Sequence, residues 1–130
     1  MRKKILLVED EDALRMLYGE ELEGEGYEVL KARNGKEALQ QFDQGHPDLV
    51  LLDIVMPVMD GMEALTRMKE KKSNVPVILH TSHRQYEKDR RSQAADGLIT
   101  KSSDLGEMKE RIRELLGRNG TARGKGPVRE

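Results

Sequence analysis

The stretch Asp48-Leu49-Val50-Leu51-Leu52-Asp53-Ile54-Val55-Met56-Pro57-Val58-Met59-Asp60-Gly61 decides how this chain is read. Leu49 to Leu52 form an apolar run without polar alternation, the pattern of a strand covered on both faces of a parallel sheet. The run ends in a carboxylate at Asp53, and Pro57 cannot donate to a ladder, so the strand does not simply continue. Asp60-Gly61 then turns the chain into a helical pattern. Asp53 therefore falls at the carboxyl end of a strand in a strand-loop-helix unit, where open α/β sheets place their ligands. By itself Asp53 reads equally well as the first solvated residue after a buried strand. The ends of the other strands decide between the two.

Toward the N-terminus, Ile5-Leu6-Leu7-Val8 is a second short apolar run, and it ends in Glu9-Asp10-Glu11-Asp12. From Ala13 the period becomes helical, with Leu14, Leu17, Tyr18 and Leu22 on the inward stripe and Gly24 and Gly26 as the stop. Tyr27 to Ala32 is a poorer strand, suited to a sheet edge. Asn34 and Glu37 have capping-box spacing: Asn34 accepts from a free backbone N–H, Glu37 reaches back, and a helix follows that buries Ala38, Leu39 and Phe42.

Toward the C-terminus, Asp60 and Glu63 repeat that spacing before a helix buried through Met62, Leu65 and Met68. Pro76 to Thr81 is a fourth strand. A helix over residues 84–95 has little except Tyr86, Ala94 and Ala95 to bury, so it is expected to be mobile or to complete its packing on a partner. Gly97 to Thr100 is a short fifth strand followed by Lys101. Asp104 and Glu107 form a third capping box, and Leu105, Met108, Ile112, Leu115 and Leu116 give the clearest amphipathic stripe of the chain. Residues 1–117 read as the folded domain and 118–130, rich in Gly, Arg and Lys, as a disordered basic tail or a truncated linker.

At 130 residues and 36% hydrophobic composition there is room for one domain with one core. The net charge of -1 is uneven: four cations against one acid in residues 117–130 leave the remainder at -4. That balance argues against nucleic-acid binding by the folded part. With no cysteine there is neither a disulfide framework nor a thiolate metal site. Arg2-Lys3-Lys4 precedes only four apolar residues, too few for a signal peptide, and no long apolar stretch occurs elsewhere. The expectation is a soluble, cytoplasmic protein that does not enter a membrane.

Strands alternating with helices predict an α/β fold, a doubly wound five-stranded parallel sheet in the flavodoxin-like order 2-1-3-4-5 with helices on both faces. In that order strands one and three are neighbours, so Asp10 and Asp53 meet at one crevice with the ends of strands four and five beside them. Four strand ends then carry Glu9 and Asp10, Asp53, Thr81, and Lys101. Separately these read as a charge run, a solvated acid, a turn threonine and a surface lysine. Together on one sheet edge they read as a site. Clustered carboxylates raise one another's pKa unless a cation relieves them, and Mg2+ suits oxygen ligands of this kind. An ionised Asp53 could then attack a phosphoryl donor and form an acyl phosphate, with Lys101 as a second cation and Thr81 as a neutral donor. His80 and His83 tempt a transition-metal reading, but their imidazoles need not converge and no third ligand is evident.

These residues, in the settings I-L-L-V-E-D, L-V-L-L-D-I-V-M-P-V-M-D-G, P-V-I-L-H-T-S and A-D-G-L-I-T-K, make the chain resemble a receiver domain of the two-component response-regulator family over residues 4–117. The resemblance implies that Asp53 is the phosphoacceptor. It implies that Asp10, Asp53 and the backbone carbonyl of Val55 bind Mg2+, that Glu9 acts on the metal through water, and that Thr81 and Lys101 contact the phosphoryl group. It implies a sensor histidine kinase or phosphotransfer protein as donor and a downstream protein read through the 84–95 helix, the fifth strand and the last helix. A phosphorylation-dependent dimer is within its scope. Three positions depart from the family's habit: Ser102 replaces a proline, Leu98 an aromatic switch residue, and His80 an aliphatic residue.

The expected function is a phosphorylation-dependent signalling switch, not an enzyme with turnover. Alternatives are a phosphorylation-independent docking module and the receiver part of a longer transcriptional regulator. A phosphoaspartate hydrolase of the haloacid-dehalogenase type would want an acid at Val55.

Overall fold

The computed structural model describes residues 2–54, 61–81, 94–101 and 105–122, with side chains through Gly117. Its five strands are β1 (Lys4–Val8), β2 (Glu28–Ala32), β3 (Leu49–Asp53), β4 (Val77–Thr81) and β5 (Gly97–Thr100). They pair in parallel in the order β2-β1-β3-β4-β5, as expected. Among the described residues the helices are α1 (Asp12–Gly24), α2 (Gly35–Gly45), α3 (Gly61–Lys71) and α4 (Gly106–Ala122). The expected helix over 84–95 lies almost wholly outside the described residues, as do Val55, Asp60, Ser82, His83, Ser102 and Asp104. Helix α4 runs on past Gly117 to Ala122, and residues 123–130 are not among those described.

Every residue of β3 and β4 is buried, which is why these strands read as apolar runs. Side chains alternate between two cores. Leu6, Val8, Val50, Leu52, Val77 and Leu79 face α2 and α3, where Phe42, Met62, Leu65 and Met68 meet them. Ile5, Leu7, Leu49, Leu51, Ile78 and Ile99 face α1 and α4, against Tyr18, Leu22, Met108, Ile112 and Leu116. Strand β2, at one edge, is only half-buried over Glu28 to Leu30, as its weak pattern suggested.

Two local expectations need correction. Leu17 was placed on the inward stripe of α1, but it is 44% exposed beside Met16 at 61%. Tyr18 and Leu22 fill the contact with the sheet, and buried Gly19 lets the stem of Lys31 cross the helix where a Cβ would crowd it. The cap of α2 is also different. Asn34 Oδ1 accepts from Glu37 N at 2.9 Å, but Glu37 reaches back one residue further, to Arg33 N and the Arg33 guanidinium. The charged group offers Glu37 two more donors than the Asn34 N–H alone.

Side chains and backbone tie down the amino-terminal edge of the sheet. Asp48 Oδ2 accepts from Lys4 N, and Asp96 Oδ2 accepts from both Val77 N and Lys69 Nζ, each at 2.8 Å. The opposite, carboxyl edge carries the site.

Candidate functional site

Strand register alone brings the site together. Val8 pairs with Leu52, Asp53 with His80, and His80 with Ile99, so Glu9, Asp53, His80 and Ile99 form one row across the sheet. Glu9 lies two residues beyond Leu7, Asp53 two beyond Leu51, and Lys101 two beyond Ile99, so all three continue the alternation toward the α1 and α4 face. Backbone bonds fix the two outer members: Glu9 N donates to Ala32 O at 3.0 Å and Lys101 N to Thr81 O at 2.7 Å.

The Lys101 ammonium closes the cluster. Its Nζ stands 2.8 Å from Glu9 Oε1 and 3.3 Å from Asp53 Oδ2. Glu9 and Asp53 are only 1% and 5% exposed. Glu9 is held at both ends: Glu11 N donates to its Oε2 at 3.2 Å, and Arg15 donates to its carbonyl at 2.9 Å. Asp10 is the most open of the acids. One carboxylate oxygen from each of Glu9, Asp10 and Asp53 lies within 4.8 Å of the others.

Burial pushes the Asp53 carboxyl up to about 7, Glu9 and then Asp10 add to the rise, and Lys101 offsets only part of it. For Lys101, burial opposes the charge, but the hydrogen bond to Glu9 and the fields of Asp53 and Glu9 outweigh it and raise the ammonium. One lysine therefore does not neutralise this group of acids. Three clustered carboxylates of which one resists ionisation fit a hard divalent cation. Glu9, Asp10 and Asp53 are the described residues that could hold Mg2+. Val55, expected to add its carbonyl, lies outside the described residues.

The start of α3 lies against the end of β3. Gly61 N donates to Ile54 O at 2.7 Å, and a Cβ on Gly61 would meet the Asp53 carbonyl oxygen and lie 2.6 Å from Ile54 Cα. Only glycine allows α3 to start this close to the strand. Thr81, expected at the site, ends β4 buried at 1% exposure and pairs with Thr100 in register.

Two neighbours were not anticipated as site residues. Arg15 reaches Glu9 from α1, and Tyr18, one helical turn on, packs its ring 5.1 Å from that of His80 at 59°. Tyr18 was legible only as part of an apolar stripe, and nothing in the spacing showed that its ring meets His80 beside the acids. His80 is 3% exposed and is pushed down to about 4 by burial, then by Lys101, so it stays neutral. It stands on the sheet row and, among the described residues, joins no metal-ligating cluster.

A doubly wound sheet with acids, a lysine and a threonine at its carboxyl edge defines a class, and comparison with known proteins gives the same one. The chain belongs to the response regulator receiver domain family, whose model matches residues 5–113. It is 36% identical over 118 residues to sporulation initiation phosphotransferase F of Bacillus subtilis, covering 89% of this chain and 95% of that protein. It is 39% identical to the chemotaxis protein CheY of Halobacterium salinarum, covering 89% and 98%. Response regulator TrrA of Thermotoga maritima, solved in complex with Mg2+ and BeF, superposes with a TM-score of 0.85 at 44% identity over 87% of this chain and 98% of that one. The same regulator has been solved in complex with the histidine kinase ThkA. Among the described residues no helix is long and apolar enough to cross a membrane.

Proposed function

We propose that this receiver domain is a phosphorylation-dependent switch in which Asp53 takes a phosphoryl group from a histidine kinase or a phosphotransfer protein. One observation carries the reading: the Asp53 carboxylate, at the end of the central strand, shares Lys101 with Glu9 and clusters with Glu9 and Asp10. A carboxylate oxygen of Asp53 attacks phosphorus, the P–N bond to the donor's imidazole breaks, and its electron pair leaves with the imidazole nitrogen. The product is an acyl phosphate, and water attack at phosphorus returns the free carboxylate and inorganic phosphate. Mg2+ held by Glu9, Asp10 and Asp53 would supply positive charge at the transferring group and keep Asp53 ionised.

The chain's own groups do the rest. Lys101 turns its ammonium from Glu9 to the phosphoryl oxygens, and Thr81, two strands from Glu9, offers a neutral hydroxyl donor. The protein acts as a cytoplasmic switch and not as an enzyme with turnover. Its output passes through protein contacts around residues 84–95, β5 and α4, with a phosphorylation-dependent dimer as one form of that output. The crystallised pairing of TrrA with a histidine kinase and its complex with Mg2+ and BeF support the donor and the metal.

The test is intact mass after incubation with acetyl phosphate, with and without Mg2+, for the wild type and Asp53→Ala. A gain of one phosphoryl group that needs the metal and vanishes in the variant is the expected result. No gain, even with histidine kinases as donors, would replace this reading with that of a phosphorylation-independent docking module.

A further inference from the structure

His80 is the lateral neighbour of Asp53 on the sheet, as Glu9 is on the other side, and it carries the next side chain on the same face. Behind it lies Tyr18 of α1, with the two rings tilted and both residues 3% exposed. Arg15, three residues before Tyr18 and so on the same side of α1, donates to the Glu9 carbonyl. Helix α1 thus meets the carboxyl edge of the sheet through two side chains one turn apart, Arg15 on the Glu9 backbone carbonyl and Tyr18 as an aromatic ring against an imidazole. The Lys101 charge reaches both rings. Burial raises the Tyr18 hydroxyl, Lys101 pulls it back, and Glu9 and Asp53 raise it again. Lys101 also helps to keep His80 neutral. Leu98, by contrast, packs in the core on the other side of the sheet, against α2 and α3.

We propose that the buried Tyr18–His80 ring pair couples the state of Asp53 to helix α1: when Asp53 gains a phosphoryl group and Lys101 leaves Glu9 for it, the pair repacks and α1 moves with Tyr18. This rests on the proposed phosphorylation of Asp53. The physical cause is the displacement of the Lys101 ammonium, which pairs with the Glu9 and Asp53 carboxylates on the same sheet row as His80, among groups buried enough that a change of charge position is weakly screened. A ring pair in packing contact answers such a change by altering its tilt, because close-packed cores move between discrete arrangements and do not deform continuously.

The chain has three tyrosines and no tryptophan, so Tyr18 can be made the only emitting side chain. In the full chain carrying Tyr27→Phe and Tyr86→Phe, tyrosine emission and near-ultraviolet circular dichroism are recorded during acetyl phosphate and Mg2+ treatment. Samples are weighed by intact mass at each point. A Tyr18 signal that changes in proportion to the phosphorylated fraction is the expected result. The converse reporter, with Tyr18→Phe and Tyr86→Phe leaving Tyr27 at the far end of the sheet, is expected to stay flat. Adding His80→Leu to the Tyr18 reporter is expected to abolish the change per phosphorylated molecule. A mass gain with an unchanged Tyr18 signal, or an equal response from Tyr27, overturns the coupling and leaves the switch intact. No mass gain overturns both.

Discussion

The ammonium of Lys101 lies closer to Glu9, at 2.8 Å, than to Asp53, at 3.3 Å. Without a metal, the lysine therefore serves as the internal counter-ion of the acid cluster, held chiefly by the acid that is not expected to take the phosphoryl group. Removing it should leave two nearly buried carboxylates facing each other with no cation between them.

Lys101→Met is accordingly expected to cost about 3 to 5 kcal/mol of stability in metal-free buffer, the range for breaking a buried ion pair by removing one partner. Mg2+ should restore part of that loss, so the midpoint of thermal unfolding should rise more with Mg2+ in the variant than in the wild type. An equal rise in both would mean that lysine and metal do not serve the same carboxylates.

Gly61→Ala tests the close approach behind Asp53. The added Cβ meets the Asp53 carbonyl oxygen and Ile54 Cα, both backbone, so no side chain can swing aside to relieve it. A cost of about 2 to 4 kcal/mol in urea unfolding is expected, at the upper end for overpacking. Mg2+ affinity should also fall, because the strand end that presents Asp53 must shift. Full stability with an unchanged metal affinity would show that α3 can begin elsewhere.

Asp96 provides the control at the far edge of the sheet. Its Oδ2 accepts from Val77 N and Lys69 Nζ, joining the starts of β4 and β5. Asp96→Ala leaves the N–H of buried Val77 without this partner and should cost about 1 to 3 kcal/mol. Phosphorylation of Asp53 measured by intact mass should proceed as in the wild type. A large loss of phosphorylation would mean that the two edges of the sheet are coupled.

The sequence showed the fold through strand ends more than through helices. The apolar runs Ile5 to Val8, Leu49 to Leu52 and Val77 to Leu79, each short and followed by polar or turn residues, read as two-sided strands, and register then carried Glu9, Asp53 and Lys101 to one place. Helix faces were less legible. The spacing of Leu14, Leu17, Tyr18 and Leu22 allows a stripe wider than the contact, and the sheet accepted Tyr18 while leaving Leu17 out. Side-chain reach was not legible at all: Glu37 passing its own cap to grip Arg33, Arg15 bonding the Glu9 carbonyl and Tyr18 meeting His80 depend on rotamers that no periodicity encodes.

Two buried groups on adjacent strands, Asp53 and His80, are shifted in opposite senses, and stability depends on pH through both. Asp53 is raised from 3.8 to about 7, so between those values the folded chain binds the proton more tightly than the unfolded one. Its contribution to stability is greatest at low pH and declines as pH rises through the window. His80 is lowered from 6.5 to about 4, so there the unfolded chain binds more protons, and its contribution rises with pH. The two nearly cancel in the metal-free wild type, which should show a flat stability profile across the shared window. Asp53→Asn removes the falling part and should leave stability rising by about 1 to 3 kcal/mol with pH, whereas His80→Leu removes the rising part and should leave a fall of similar size. Urea unfolding of the three proteins at several pH values in metal-free buffer checks this. Profiles that run parallel in all three would mean that neither group titrates abnormally, and the account of a crowded, desolvated Asp53 would have to be abandoned.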